Sequence, residues 1–384
     1  MNIARKLSPV LALLALILAG GISASAEDTL TFRHDEVEVT KTGRVIANAD
    51  SGVILETPDS MMWPILADDL IAAKQDAGEF ALLEKKALTE KLLAELPPGF
   101  EVHETAHYLI CYNTSRAYAY WCGSLYERLY RGFVNYWKQR GVSLVEPTQP
   151  LVAVIFDNKQ NYAAYGKPEL GDAAGSIIGY YSMHTNRVAM YDLTGVDAVR
   201  SAGSSQRDIA RINNILARPE ATWLVATIVH EATHQLAYNC GLQIRLADNP
   251  VWVSEGLAIY FETPDLSSSR GWRGIGEVNR IRLPQAKRLV QRSGGQIVAD
   301  LLVNDDQFRK AETALDAYAL SWALNYFLLK RYPDAYVNYL KNLSQRRPLH
   351  DPPREERIAE FQKFIASDLT AFESEFRKFI AGLR

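Results

Sequence analysis

His230-Glu231-Ala232-Thr233-His234 sets two imidazoles and a carboxylate within one short stretch of chain. In a helix, residues four apart differ by only about 40° around the axis, so both imidazoles leave the same face one turn apart. This spacing lets two histidine nitrogens reach one zinc ion. Glu231, beside the first histidine, is placed to take a proton from a water on that ion without ligating it. The third ligand expected is Glu255, in Ser254-Glu255-Gly256-Leu257-Ala258. Two neutral imidazoles and one carboxylate leave a fourth position for water, as a catalytic zinc requires. The chemistry indicated is metal-assisted hydrolysis.

Two helices must position these groups. From Trp223 to Tyr238 apolar residues cover most of the surface around the motif, which predicts a buried helix, opened by Pro219 and running to about Cys240, with Gly241 as its stop. Burying two histidines and a glutamate is costly unless each is paired or bound to metal. A second helix, Trp252–Phe261, begins after Pro250 and carries Glu255 among apolar residues, and Gly256 permits another helix to approach closely. The same pentapeptide pattern occurs upstream as His103-Glu104-Thr105-Ala106-His107, between Pro97-Pro98-Gly99 and a β-rich stretch. On a strand, residues four apart are separated by about 13 Å, too far to share one ion. No Glu-Gly-x-Ala follows that copy at a suitable distance, so it is set aside.

With these residues in place, the chain resembles the gluzincin peptidases, the thermolysin-like and aminopeptidase-like superfamily. Trp252-Val-Ser-Glu-Gly-Leu-Ala-Ile-Tyr-Phe-Glu262 resembles more narrowly the peptidase-MA-like families of uncharacterised secreted bacterial proteins. The likeness spans roughly residues 100–384, and its specific residues fall in about 220–262. It implies Zn2+ on His230, His234 and Glu255, Glu231 as general base, and a peptide or protein as substrate. The Gly-Ala-Met-Glu-Asn signature of the aminopeptidases is absent, so an endopeptidase is expected. Related enzymes stabilise the oxyanion with a tyrosine or histidine from a later helix. Tyr318 is the candidate here, against its being a core tyrosine, and Tyr260 is a weaker one. In the related enzymes, an edge strand that binds substrate backbone lies where this chain has the strand pair of residues 176–191.

The whole chain sets the frame. With 384 residues, 48% hydrophobic and 23% charged, it has the composition of a folded globular protein with room for more than one domain. The net charge of −3 gives no basic surplus, so nucleic-acid binding is not indicated. Arg5 and Lys6, the apolar run Leu11–Leu18 and Ala24-Ser25-Ala26 read as an export signal over residues 1–26, cleaved near Ala26, which predicts a periplasmic or extracellular protein. The alternative is a membrane anchor, but the run is shorter than the ~20 residues a span needs. No other stretch is long and apolar enough to span, so the mature chain is expected to be soluble. The fold class predicted is α+β. A small SH3-like β module over 27–77 is followed by a helical connector over 78–99. The gluzincin-like domain comprises an α/β lobe over 100–205 and a helical lobe with the zinc site over 206–384. Its helices include Asn279–Gln291, Tyr318–Lys330, Ala335–Leu343 and a long one over Ile358–Leu383. Of Cys111, Cys122 and Cys240, the first two are near enough in sequence to bridge in an oxidising compartment or to stay free.

Supporting roles are less determined. Glu262 lies on the helical face of Glu255, placed either to orient a ligand histidine or to meet solvent. Arg270, Arg273, Arg280, Arg282, Lys287, Arg288 and Arg292 form a basic stretch suited to a substrate carboxylate or, more simply, to a solvated face. His184 is expected at the surface. Two other functions compete with an active peptidase: a non-catalytic envelope protein that keeps the fold, and a zinc amidase acting on cell-wall amides. Glu231 favours an enzyme, because a scaffold needs no general base.

Overall fold

Strand-forming runs occupy the first part of the chain and helical ones the second. A computed structural model describes residues 26–194, 206–218, 221–263, 274–292 and 294–384. The export signal, except for Ala26, lies outside the described residues, as do Pro219, Arg270 and Arg273.

Five antiparallel strands come first: β1 (Ala26–His34), β2 (Val37–Ala49), β3 (Gly52–Glu56), β4 (Met62–Leu66) and β5 (Leu70–Glu79). Their order is β4-β3-β2-β1-β5, a meander whose last strand returns beside the first. Leu30, Phe32, Val53, Leu55 and Ile65 form its small core. Helix α1 (Lys85–Glu95) then leads into a second sheet of β6 (Glu101–Glu104), β7 (Tyr108–Tyr112), β8 (Leu151–Phe156), β9 (Gly179–Tyr181) and β10 (Arg187–Tyr191). The order here is β6-β7-β8-β10-β9, with β7, β8 and β10 parallel and the two outer strands antiparallel to their neighbours. Every residue of β7 and β8 is buried, as parallel strands covered on both faces require.

Helix α2 (Arg116–Lys138) follows β7, α3 (Lys159–Leu170) follows β8, and α4 (Gln206–Leu216) and α5 (Thr222–Asn239) follow β10. Ile110, Ala153, Ile155, Val188 and Met190 pack with α2 and α5, whereas Leu109, Cys111, Val152, Val154 and Ala189 pack with α1 and α3. This alternation settles the cysteines. Cys111 faces one side of the sheet and Cys122, on α2, belongs to the other, so the sheet separates them and all three thiols are free and buried.

The remaining helices are α6 (Val251–Phe261), α7 (Leu283–Arg292), α8 (Ile297–Val303), α9 (Ala314–Arg331), α10 (Pro333–Leu343), α11 (Glu356–Phe364) and α12 (Leu369–Gly382). The single helix expected over Ile358–Leu383 is two. Asp368 interrupts it, its carboxylate accepting the N–H groups of Thr370 and Ala371 at 2.9 and 3.0 Å as the cap of a new helix. None of the described helices is long and apolar enough to cross a membrane.

His184 is not the surface residue expected. It lies in the turn between β9 and β10, its Nδ1 2.6 Å from the Met62 carbonyl oxygen and its ring edge-on to Trp63 at 4.6 Å. The Met62 N–H donates in return to the His184 carbonyl at 2.9 Å. Buried Arg245, in the loop between α5 and α6, adds bonds to the Ser60 carbonyl at 3.0 Å and the Met183 carbonyl at 3.3 Å. The N-terminal sheet thereby braces the β9–β10 turn.

Helix α6 is buried along almost its whole length and lies against α9. A side chain at Gly256 would collide with Asn325 Nδ2 and come within 2.5 Å of the Ser321 carbonyl oxygen. Asn325 in turn donates to the Trp252 carbonyl at 3.0 Å. Substituting Gly256→Ala is therefore expected to force the two helices apart at a cost of about 1–3 kcal/mol. Thermal unfolding of the purified variant measures this, and an unchanged midpoint would refute the close approach.

Candidate metal centre

Helix α5 presents His230 and His234 one turn apart because Val225, Ile228, Val229, Ala232 and Leu236 on its other faces are buried in the main core. Helix α6 brings Glu255 across. The two imidazole Nε2 atoms lie 3.1 Å apart, and Glu255 Oε2 is 3.0 Å from that of His230 and 3.6 Å from that of His234. A tetrahedral zinc holding its ligands at about 2.0–2.1 Å separates them by about 3.3 Å, so the three donors surround a point that such an ion fits. All three side chains are largely withdrawn from water, with exposures of 13%, 12% and 19%. Among the described residues they are the one group of three or more His, Cys, Asp or Glu side chains whose donor atoms converge in this way.

Glu262, at the end of α6, is the orienting acceptor and not a solvated residue: its Oε1 lies 2.7 Å from His230 Nδ1. With Nδ1 as the donor, the Nε2 lone pair is directed at the shared point. Asn279 Nδ2 donates to the other Glu262 oxygen at 3.3 Å. Sequence patterns do not reveal Asn279. Its one sign is its place shortly before α7, where its side chain also accepts the N–H groups of Ile281 and Arg282.

Glu231 is half-buried beside His230, His234 and Glu255 but outside their set. Its Oε2 accepts the Tyr181 N–H of β9 at 2.8 Å. Burial raises its pKa most, the two histidines oppose this, and the Glu255 charge adds to it, leaving the carboxyl above its ordinary range. That backbone contact is invisible to residue type, and only the edge-strand pattern pointed toward it. Strand β9 is the outer strand of its sheet. A cavity of about 470 Å³ opens between β9 and the two ligand helices, lined by Gly179, Tyr181, Tyr238, Asn249 and Tyr318 with the ligand set and Glu231.

Tyr318 therefore faces the site. The Glu255 charge, and after it burial, raises the pKa of its phenol, so the hydroxyl stays protonated as a donor. Tyr260 does not reach the cavity. It is 2% exposed in the core, where its hydroxyl oxygen accepts from Tyr136 at 2.9 Å. The basic stretch disperses: Arg282 stands over the Tyr318 ring at 5.7 Å, Lys287 bonds the Leu383 carbonyl, Arg288 bonds Gln285, and Arg280 and Arg292 are exposed. The upstream copy of the motif is split. His103 on β6 stacks on Tyr120, whereas His107 pairs with Glu127 at 2.8 Å and stacks on Tyr130.

Residues 224–350, less than half of the chain, are similar to a family described as a protein of unknown function (DUF1570). The matched segment contains the whole constellation from His230 to Tyr318. The chain matches no curated protein sequence.

Two outcomes follow from this geometry. Burial disfavours a charged His230, but the carboxylates of Glu255 and Glu262 outweigh it and hold the imidazole pKa well above its ordinary value. A proton that His230 keeps in the absence of metal is expected to leave when a cation binds there. Zinc affinity is expected to rise with pH and to weaken as pH falls. Calorimetry in buffers of different ionisation enthalpy measures the proton released, and pH-independent affinity would contradict the site. Second, Glu262→Ala should weaken zinc binding by roughly 10–100-fold in a competition titration with a chelator.

Proposed function

We propose that the protein is a zinc-dependent hydrolase of peptide bonds, of the gluzincin kind. The observation that carries this reading is the convergence of His230, His234 and Glu255 on one point, with a half-buried fourth group, Glu231, held beside them and outside that set. A structural metal site is closed by four protein ligands, whereas this one draws three from the described residues and faces a cavity. When bound, zinc supplies Lewis acidity toward a carbonyl and makes water acidic near neutral pH.

The chain's own residues then divide the work. Glu231, its pKa raised by burial, accepts the proton of the attacking water and returns it to the leaving amine. The Tyr181 N–H fixes the orientation of that carboxylate. Tyr318 donates its protonated hydroxyl to the oxygen on which negative charge develops. Apart from the Tyr181 N–H, the outer edge of β9, unpaired among the described strands, offers main-chain groups to an extended substrate laid along the cavity. These features favour an active enzyme over a binding scaffold, because a scaffold needs neither a half-buried base nor an open coordination position.

The test is cleavage of an internally quenched peptide library by the purified chain loaded with zinc. Glu231→Gln should lower kcat by about 10²–10⁴-fold with zinc content unchanged. Tyr318→Phe should lower kcat by about 10²–10³-fold with little change in KM. A chelator should abolish cleavage and zinc restore it. Full activity in Glu231→Gln would refute the mechanism.

A further inference from the structure

Arg282 is the member of the basic stretch that the reaction leaves unused. It precedes α7 and is tied to the metal centre through its backbone: its N–H donates to Asn279 Oδ1 at 3.1 Å, Asn279 donates to Glu262, and Glu262 holds His230. Its guanidinium carbon stands 5.7 Å from the centroid of the Tyr318 ring, and that ring lines the cavity. Its Nε is buried without a hydrogen-bond partner, and the side chain forms no ion pair among the described residues. The Glu262 carboxylate bonds His230 and Asn279, and that of Asp316 bonds Gln285.

A half-buried guanidinium without an anion is costly, and it carries five donors in a planar fork that matches a carboxylate. Among the described residues the cavity lining contains no lysine or arginine, and its acidic members are Glu231 and Glu255. Among the described residues, Arg282 is thus a cation beside this lining, placed to meet an anionic group that enters next to Tyr318. Its position over the ring face is itself favourable and holds the guanidinium against Tyr318, which does line the cavity.

We propose that Arg282 is a specificity residue of this site, receiving a carboxylate of the substrate on the Tyr318 side of the bond that is cut. The inference rests on the hydrolase reading and adds the substrate class: chains with a negative charge close to the cleaved bond. That charge comes either from a free C-terminus or from an acidic side chain, and both present the same group to the guanidinium.

Four peptides of one sequence test this on the zinc-loaded full chain. One pair ends in a carboxylate or a carboxamide, and the other carries Glu or Gln after the cleaved bond with both ends blocked. The wild type should favour the charged member of at least one pair by roughly 10- to 100-fold in kcat/KM, the range of a charge-assisted bidentate contact. The favoured pair identifies the source of the carboxylate. Arg282→Met should collapse that ratio toward one and Arg282→Lys should keep part of it, mainly through KM. A ratio near one in the wild type, or a preference that survives in Arg282→Met, overturns the proposal while leaving the hydrolase reading intact. Binding of the same peptides to Glu231→Gln, followed by calorimetry, covers the converse case. If no peptide is cleaved but the charged one binds more tightly in an Arg282-dependent way, hydrolysis fails and the carboxylate site stands. If neither cleavage nor selective binding occurs, both fail.

Discussion

His230 is gripped from both sides by one helix. Glu262 meets its Nδ1 and Glu255 approaches its Nε2, and both carboxylates come from α6 and its final turn. Three carboxyl groups, counting Glu231, and two imidazoles therefore share a small and largely dry volume. Without compensation, such crowding of acids raises their pKa values and destabilises the fold. Here the imidazoles compensate in part, pulling Glu255 well below the ordinary carboxylate range although burial pushes the other way. In the reading proposed above, a divalent cation would complete the balance. The requirement to hold these groups together explains why both helices that carry them are buried nearly all round, and why Gly256 must let α9 approach so closely.

The same constraint gives the N-terminal sheet a purpose. Strand β9 supplies the amide that holds Glu231, yet it is short and lies at the sheet edge, where a strand is least restrained. The turn beyond it is fixed on two sides. On one, Gln235 and Asn239 of α5 bond Asn186, at 2.9 Å to its carbonyl and 2.7 Å to its side chain. On the other, Met62 and Trp63 of β4 clasp His184. Arg245 joins the N-terminal sheet, this turn and the loop between the ligand helices. The β module thus acts on the site by stiffening the strand that forms one wall of the cavity.

The sequence made the helices legible wherever burial was extensive and periodic, as in α2, α5, α6 and α9, and made β7 and β8 legible as apolar runs. It also pointed to the side chains that converge, because His230, His234 and Glu255, with Glu231 beside the first, are chemical types at fixed spacing. Strands β1 and β5 were harder, since threonines and charges dominate Asp28–Phe32 and Lys74–Glu79. Helix α3 was missed because Gly166 and Pro168 sit inside a polar stretch, and only one short face of it is buried. What remained hidden at the site is mostly backbone or conformation: the Tyr181 amide, the Asn279 bridge, and the approach of Arg282 to Tyr318. Residue type carries no direction, and these roles depend on direction alone.

The upstream copy of the motif shows what the pentapeptide lacks by itself. Both copies have the same residues at the same spacing, and both pairs of histidines are at least partly buried. In the first, β6 ends at Glu104, so its two rings take separate aromatic partners, and Glu127 from α2 pairs with one of them. In the second, the helical rise of about 6 Å over four residues keeps the rings together and leaves their nitrogens facing one point. That point is completed by a carboxylate from another helix, which the first copy never receives. Metal-binding capacity here is a property of secondary structure and of the second helix as much as of the histidines, so the local fold decides which of two identical motifs can do chemistry.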